Sequence, residues 1–182
     1  LLRWRHPSHG LVSPGEFLPV IENSDLLEPI GSWVLETAAR QGRLWAERSG
    51  YGENLTVSVN VSARQLGHSS FLETAGRAAA ELADVGGTLQ LELTEAAVME
   101  DAEGGRQVLE RLRGTGARLA VDDFGTGYSS LRYLHELPVD TLKIDREFVC
   151  LPREEACESA IARTIVALAE SLDLTTVAEG IE

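Results

Sequence analysis

Short β-rich runs alternate with helix-spaced segments along this 182-residue chain, and each run has a residue that carries chemistry at or near its C-terminal end. The runs are LTVSVNV (55–61), LQLELT (89–94), RLAVDD (118–123), TLKID (141–145) and TTVAE (175–179). Helical spacing predicts a helix over about 28–48, with Trp33, Val34, Thr37, Ala38 and Trp45 on one packing face. Asp25 and Glu28 suit its cap and first turn. Phe71, Leu72, Ala75, Ala79 and Leu82 mark a second helix over about 69–84. Val108, Leu109 and Leu112 mark a third over about 103–114, and Ile161, Ile165, Leu168 and Leu172 a fourth over about 154–172. The shorter connection from Asp123 to Thr141 leaves room for a brief helix near 129–135.

Strand–helix–strand repetition implies an α/β fold with parallel strands and right-handed crossovers. An open doubly wound sheet gathers its ligands at one switch point, so only some strand ends contribute. In a (β/α)8 barrel every strand end faces the same mouth. Asn60, Glu92, Asp122, Lys143 and Glu179 stand at or near five successive strand ends, which favours the barrel. They recur at intervals of 32, 30, 21 and 36 residues. Eight such units would need about 240 residues, close to the usual size of that fold. The chain therefore holds five full strands plus the stub LLRW, as one incomplete, TIM-like domain over residues 1–182.

The chain carries 16 Lys+Arg against 29 Asp+Glu, a net charge of −13. That excess argues against a DNA or RNA polymer as partner, but not against a small anion held through metal ions. No apolar run approaches a membrane span of roughly 20 residues. Cys150 and Cys157, with six residues between them, have neither zinc-site nor disulfide spacing, which points to reduced thiols and the cytoplasm.

The strand-end set offers carboxylate and amide oxygens with one ammonium, ligands suited to Mg2+ or Mn2+ rather than to zinc. Asp122 and Asp123 repel each other unless a cation sits beside them. Neighbouring strand residues point to opposite faces, so both can reach one mouth only if the strand ends between them and turns, as Gly125 and Gly127 would allow. Two ions about 3.5–4 Å apart form a clamp for in-line attack on a phosphodiester. Each piece also has a plainer reading. The DD pair could be a turn or cap, Glu92 and Glu95 solvated loop charges, and Lys143 a surface lysine. The four histidines share no mutual spacing and read as structural or exposed, and the three tryptophans as packing residues. The conjunction of one polar residue per strand end outweighs these readings.

The segments LLRWRHP, VNVSARQL, LELTE, VDDFGTGYSSL, LPVDTLKIDREFV and VAEGIE resemble, in order and spacing, the EAL-domain cyclic-di-GMP phosphodiesterases. The resemblance spans nearly the whole chain. It implies a TIM-like barrel that uses two divalent ions, Mg2+ or Mn2+, to hydrolyse one phosphodiester of cyclic di-GMP to linear pGpG. By position it implies Asn60, Glu92 and Asp122 on the first ion, with Asp122 bridging to the second and Asp123 on the second. Lys143 would hold the attacking water or a phosphate oxygen, and Glu179 would act as base or second-metal partner. Arg3 would pair with substrate phosphate, Glu95 would anchor the loop that follows the two aspartates, and Glu182 would support the site. That loop often lies at a dimer contact in the family, so a homodimer is expected, as are sensory or GGDEF domains in the parent chain. Only Leu1 of the naming Glu-Ala-Leu motif is visible, and the first and last strand–helix units lie outside the chain. The 182-residue piece alone is thus expected to be inactive. A cyclic-di-GMP receptor without catalysis, and a scaffold acting through dimer contacts, are the competing readings.

Overall fold

The computed structural model describes residues 2–49, 55–99, 102–125, 134–149 and 160–180. A hairpin of β1 (Trp4–His6) and β2 (Gly10–Val12) leads into α1 (Pro14–Glu22) and the long α2 (Leu27–Ser49). There follow β3 (Thr56–Asn60), α3 (Ala63–Leu66), α4 (Ser69–Ala83), β4 (Thr88–Thr94), α5 (Glu95–Met99), α6 (Ala102–Arg113) and β5 (Arg118–Phe124). Then come β6 (Thr141–Ile144), a 3-10 turn (Arg146–Phe148), α7 (Ala160–Ser171) and β7 (Thr175–Ala178).

Strands β3 to β7 form one parallel sheet in the order of the chain, without a reversal. A doubly wound sheet must reverse its order at a switch point. Here α2, α4, α6 and α7 all pack on one face, against Leu89, Leu91, Leu93, Leu119, Val121, Leu142 and Ile144. Unreversed order with these four helices on one side is the arc of a (β/α) barrel. The opposite face carries the alternate residues, and on β4, β5 and β6 these include buried Gln90, Glu92, Asp122, Thr141 and Lys143. Period-2 alternation therefore separates an apolar helix side from a polar inner side.

Some expectations are corrected. Trp33 and Trp45 lie 55% and 54% exposed, and α2 buries Leu35, Ala39, Gly42 and Ala46 instead. The reason is close approach: small residues let α2 lie against β3 and α4. A Cβ on Gly42 would stand 2.6 Å from Val57 Cγ2 and 2.7 Å from Leu82 Cδ2. Gly42→Ala, normally stabilising inside a helix, should here cost about 1–2 kcal/mol through overpacking. Urea unfolding checks this, and a raised midpoint would contradict it.

Of the stub LLRW, the described residues Leu2 and Arg3 lie outside any strand. Trp4 begins a separate antiparallel hairpin with β2, paired with Val12. Trp4 is 47% exposed yet meets the Phe17 ring edge-on at 6.2 Å. His6 and His9, which share no motif spacing, meet ring to ring at 4.6 Å. His6 Nδ1 accepts the amides of Ser8 and His9, so its role is to close the hairpin turn. Glu28 lies in the first turn of α2, but the helix starts at Leu27, leaving Asp25 two residues ahead of it. The expected helix near 129–135, the first part of the 154–172 helix, Cys150 and Cys157 fall wholly or mostly outside the described residues.

Candidate active site

The ends of β4, β5, β6 and β7 converge on one side chain. Lys143 Nζ lies 2.6 Å from Glu179 Oε1, 2.7 Å from Glu92 Oε2 and 2.9 Å from Asp122 Oδ1. Lys143, Glu92 and Asp122 are buried, at 7%, 6% and 8% exposure. Glu179 is the open member, with a side chain 36% exposed. An ammonium this deep is not a snorkelling surface lysine. Burial pulls its pKa down, but hydrogen bonds to Glu179, Glu92 and Asp122 outweigh this and carry it above the ordinary lysine value of 10.5. Lys143 therefore stays charged throughout the neutral range.

Asp123 reaches the same place by a route the alternation does not anticipate. The strand does not end between the two aspartates but runs on to Phe124. In its ladder with β6, Val121 pairs with Leu142 and Phe124 with Ile144. Three steps on β5 thus match two on β6, so β5 carries one extra residue, a bulge. Asp123 sits in it at φ +54. Asp and Asn tolerate this left-handed region better than other residues with a Cβ. The bulge turns consecutive side chains to one mouth, and ligand oxygens of Asp122, Asp123 and Glu179 all lie within 4.8 Å of one another. Gly125 follows at φ +99, while Gly127 lies outside the described residues.

The crowding shows in Asp123 itself. Burial first, then the Asp122 charge, a hydrogen bond with Asp145, and the charges of Asp145 and Glu179, raise its carboxyl above the ordinary 3.8. A carboxyl raised on folding adds stability below its unfolded value and loses it as pH rises through the folded one. Ionised Asp123 thus opposes folding at neutral pH. Asn keeps the left-handed tolerance and drops the charge. Asp123→Asn in EDTA should therefore raise the melting temperature at pH 7 and change it little near pH 4. An equal effect at both pH values would show that charge is not the cause.

The remaining expected residues divide. Glu95 is buried at 3% exposure, and its Oε2 accepts the Gly125 amide at 2.9 Å. Asn60 ends the edge strand β3, exposed and in register with Glu92. Arg3 is exposed and donates to the Leu2 carbonyl at 2.8 Å; no ion pair ties it to the carboxylates among the described residues. Glu182 lies outside the described residues. Sequence reasoning missed Asp145, which meets Asp123 and also accepts the Glu147 amide at 2.7 Å. It also missed the residues two before the strand ends, Ser58, Gln90 and Thr141. The period of a strand was the signal for these.

Three carboxylates hold the ammonium and Asp123 stands beside two of them, so these five groups carry a formal charge of −3. An all-oxygen, partly buried set with surplus negative charge fits hard divalent cations. This defines the class: a (β/α)-barrel domain with a polyanionic centre at the C-terminal mouth of its strands. The chain matches the EAL domain over residues 1–182 and belongs to that family.

It is 44% identical over 182 residues to the bifunctional diguanylate cyclase/cyclic di-GMP phosphodiesterase MucR of Pseudomonas aeruginosa, covering 100% of this chain and 26% of that protein. It is 37% identical to the cyclic di-GMP phosphodiesterase PdeR of Escherichia coli, covering 100% of this chain and 27% of that protein. The solved PaMucR phosphodiesterase in its c-di-GMP complex superimposes with a TM-score of 0.86 at 43% identity, over 100% of this chain and 73% of that one. The chain thus spans about a quarter of the length of these curated relatives.

Proposed function

We propose that this chain supplies the catalytic face of a phosphodiesterase that adds water across one 3′–5′ phosphodiester of cyclic di-GMP, giving linear pGpG, with two Mg2+ or Mn2+ ions. The observation that carries this reading is the carboxylate cluster around Lys143, in a family member similar to a phosphodiesterase solved with c-di-GMP. Asn60, Glu92 and Asp122 are suited to hold one ion, and Asp122, Asp123 and Glu179 the other. Bound cations would supply positive charge against the phosphoryl oxygens and acidify the attacking water.

Because Lys143 stays protonated, it serves as a donor that holds the water or a phosphoryl oxygen, not as a base. Glu179, the most open carboxylate around Lys143, is assigned either to the second ion or, as base, to the proton of the water. Oxygen bonds to phosphorus, and the 3′ oxygen leaves with the electron pair and gains a proton. Glu95, through the Gly125 amide, anchors the start of the loop beyond Asp123. Arg3 is assigned to a substrate phosphate, where a guanidinium fork suits the geometry, and Glu182 to support of the site.

No helix among the described residues is long and apolar enough to cross a membrane. A cytoplasmic domain, joined to other signalling domains and able to pair with a second copy, fits a messenger nucleotide as substrate. The test is to incubate the full-length natural protein with cyclic di-GMP and Mn2+, with and without EDTA, and separate the products by chromatography. The expected result is pGpG only without EDTA. Nucleotide bound but left intact would make the protein a receptor.

A further inference from the structure

The inner face of the sheet carries a second polar layer one step beneath the carboxylates. Gln90 lies two residues before Glu92 on β4 and is 9% exposed. Its Nε2 donates to Ser58 Oγ on β3 at 3.2 Å, and its Oε1 accepts from Thr141 Oγ1 on β6 at 3.4 Å. These two hydroxyls, each able to donate or accept, hold the amide in place. The Glu92 carboxylate, which can only accept and whose Oε1 lies 3.5 Å away, selects the NH2 end as the one turned toward it. Glu92 is thereby flanked on both oxygens, Oε2 by Lys143 and Oε1 by the Gln90 amide.

The layer depends on a small residue between its ends. Strands β4 and β6 stand on either side of β5, about 9.5 Å apart at the usual spacing of neighbouring strands. Gln90 and Thr141 can meet only if β5 offers nothing bulky at that level. Ala120, in register with both Glu92 and Thr141, is fully buried there. A larger side chain would separate the two partners. An amide at this point has no packing advantage over leucine, since a buried polar group gains only when every hydrogen bond is made.

We propose that Gln90, held by Ser58 and Thr141, is a positioning residue that sets the orientation of the Glu92 carboxylate for a divalent cation. The inference rests on the metal reading of the site given above. Partners of metal-ligating groups contribute about 10–100-fold to metal affinity when removed. The test is Mn2+ binding to the full-length protein by electron paramagnetic resonance, alongside urea unfolding in EDTA, for wild type, Gln90→Leu and Thr141→Val.

Gln90→Leu should weaken Mn2+ binding about 10-fold or more while leaving the urea midpoint unchanged or higher. Thr141→Val, which frees the amide to turn but touches no carboxylate, should weaken it by a smaller factor in the same direction. It also reads the effect if Gln90→Leu does not fold. Wild-type affinity in the variants, or a lowered urea midpoint with unchanged affinity, would show that the layer is only structural and overturn the proposal. Wild-type protein that binds no Mn2+ would overturn the metal reading, and this inference with it.

Discussion

In the full-length protein, Asp122→Asn is expected to remove the proposed cyclic-di-GMP hydrolysis while leaving the fold intact. Asp122 Oδ1 accepts from Lys143 at 2.9 Å and from the Asp123 amide at 3.1 Å, and an asparagine oxygen can keep both acceptor roles. What it loses is the charge. Losing an outer partner of a metal ligand costs about 10–100-fold, so losing a carboxylate that two ions would share should cost more than about 100-fold in kcat/KM. In EDTA the same change relieves repulsion with Asp123, so the urea midpoint should hold or rise. Activity within a few-fold of wild type would remove Asp122 from the centre of the account. A collapsed midpoint would instead assign it a structural role.

Lys143→Met is expected to damage both activity and stability. The ammonium lies within 2.9 Å of three carboxylates, and its removal leaves them facing one another with no cation. Removing one partner of a buried ion pair costs about 3–5 kcal/mol, here at the lower end because Glu179 is partly solvated. Folding stability from Lys143 is fully present below its unfolded pKa, so the loss should be constant across neutral pH. It should shrink when Mn2+ replaces EDTA, since cations can neutralise the same carboxylates. Activity should fall about 10²-fold or more for loss of a charge-stabilising donor. A variant as stable as wild type in EDTA would mean the carboxylates are protonated or solvated when alone. That would contradict the polyanionic reading.

The strand ends were legible because short β-rich runs stand out between helix-spaced segments, and a polar residue at or near each of five successive ends already favoured the barrel over an open sheet. The elements that were not legible failed for identifiable reasons. Strands β1 and β2 have three residues each, too short to show a period. On α2 the bulky aromatics drew attention, whereas the contact face is made of Leu35 and the small Ala39, Gly42 and Ala46. Close helix packing selects for smallness, which a hydrophobicity pattern ranks low. The two aspartates were correctly expected at one mouth, but the means was a bulge with Asp123 at φ +54 rather than a strand end. Aspartate tolerates that conformation without requiring it, so the residue type alone does not announce the bulge. Gln90 and Thr141 could have been found by stepping back two residues from Glu92 and Lys143.

The proposed chemistry requires the carboxylate cluster to be a divalent-cation site. Mn2+ binding to the full-length protein, followed by electron paramagnetic resonance with Asp122→Asn as comparison, measures that without requiring turnover. Saturable binding to wild type is expected, with a loss of more than about 100-fold in affinity for at least one ion in the variant. Equal binding to both proteins, or none to either, would contradict it.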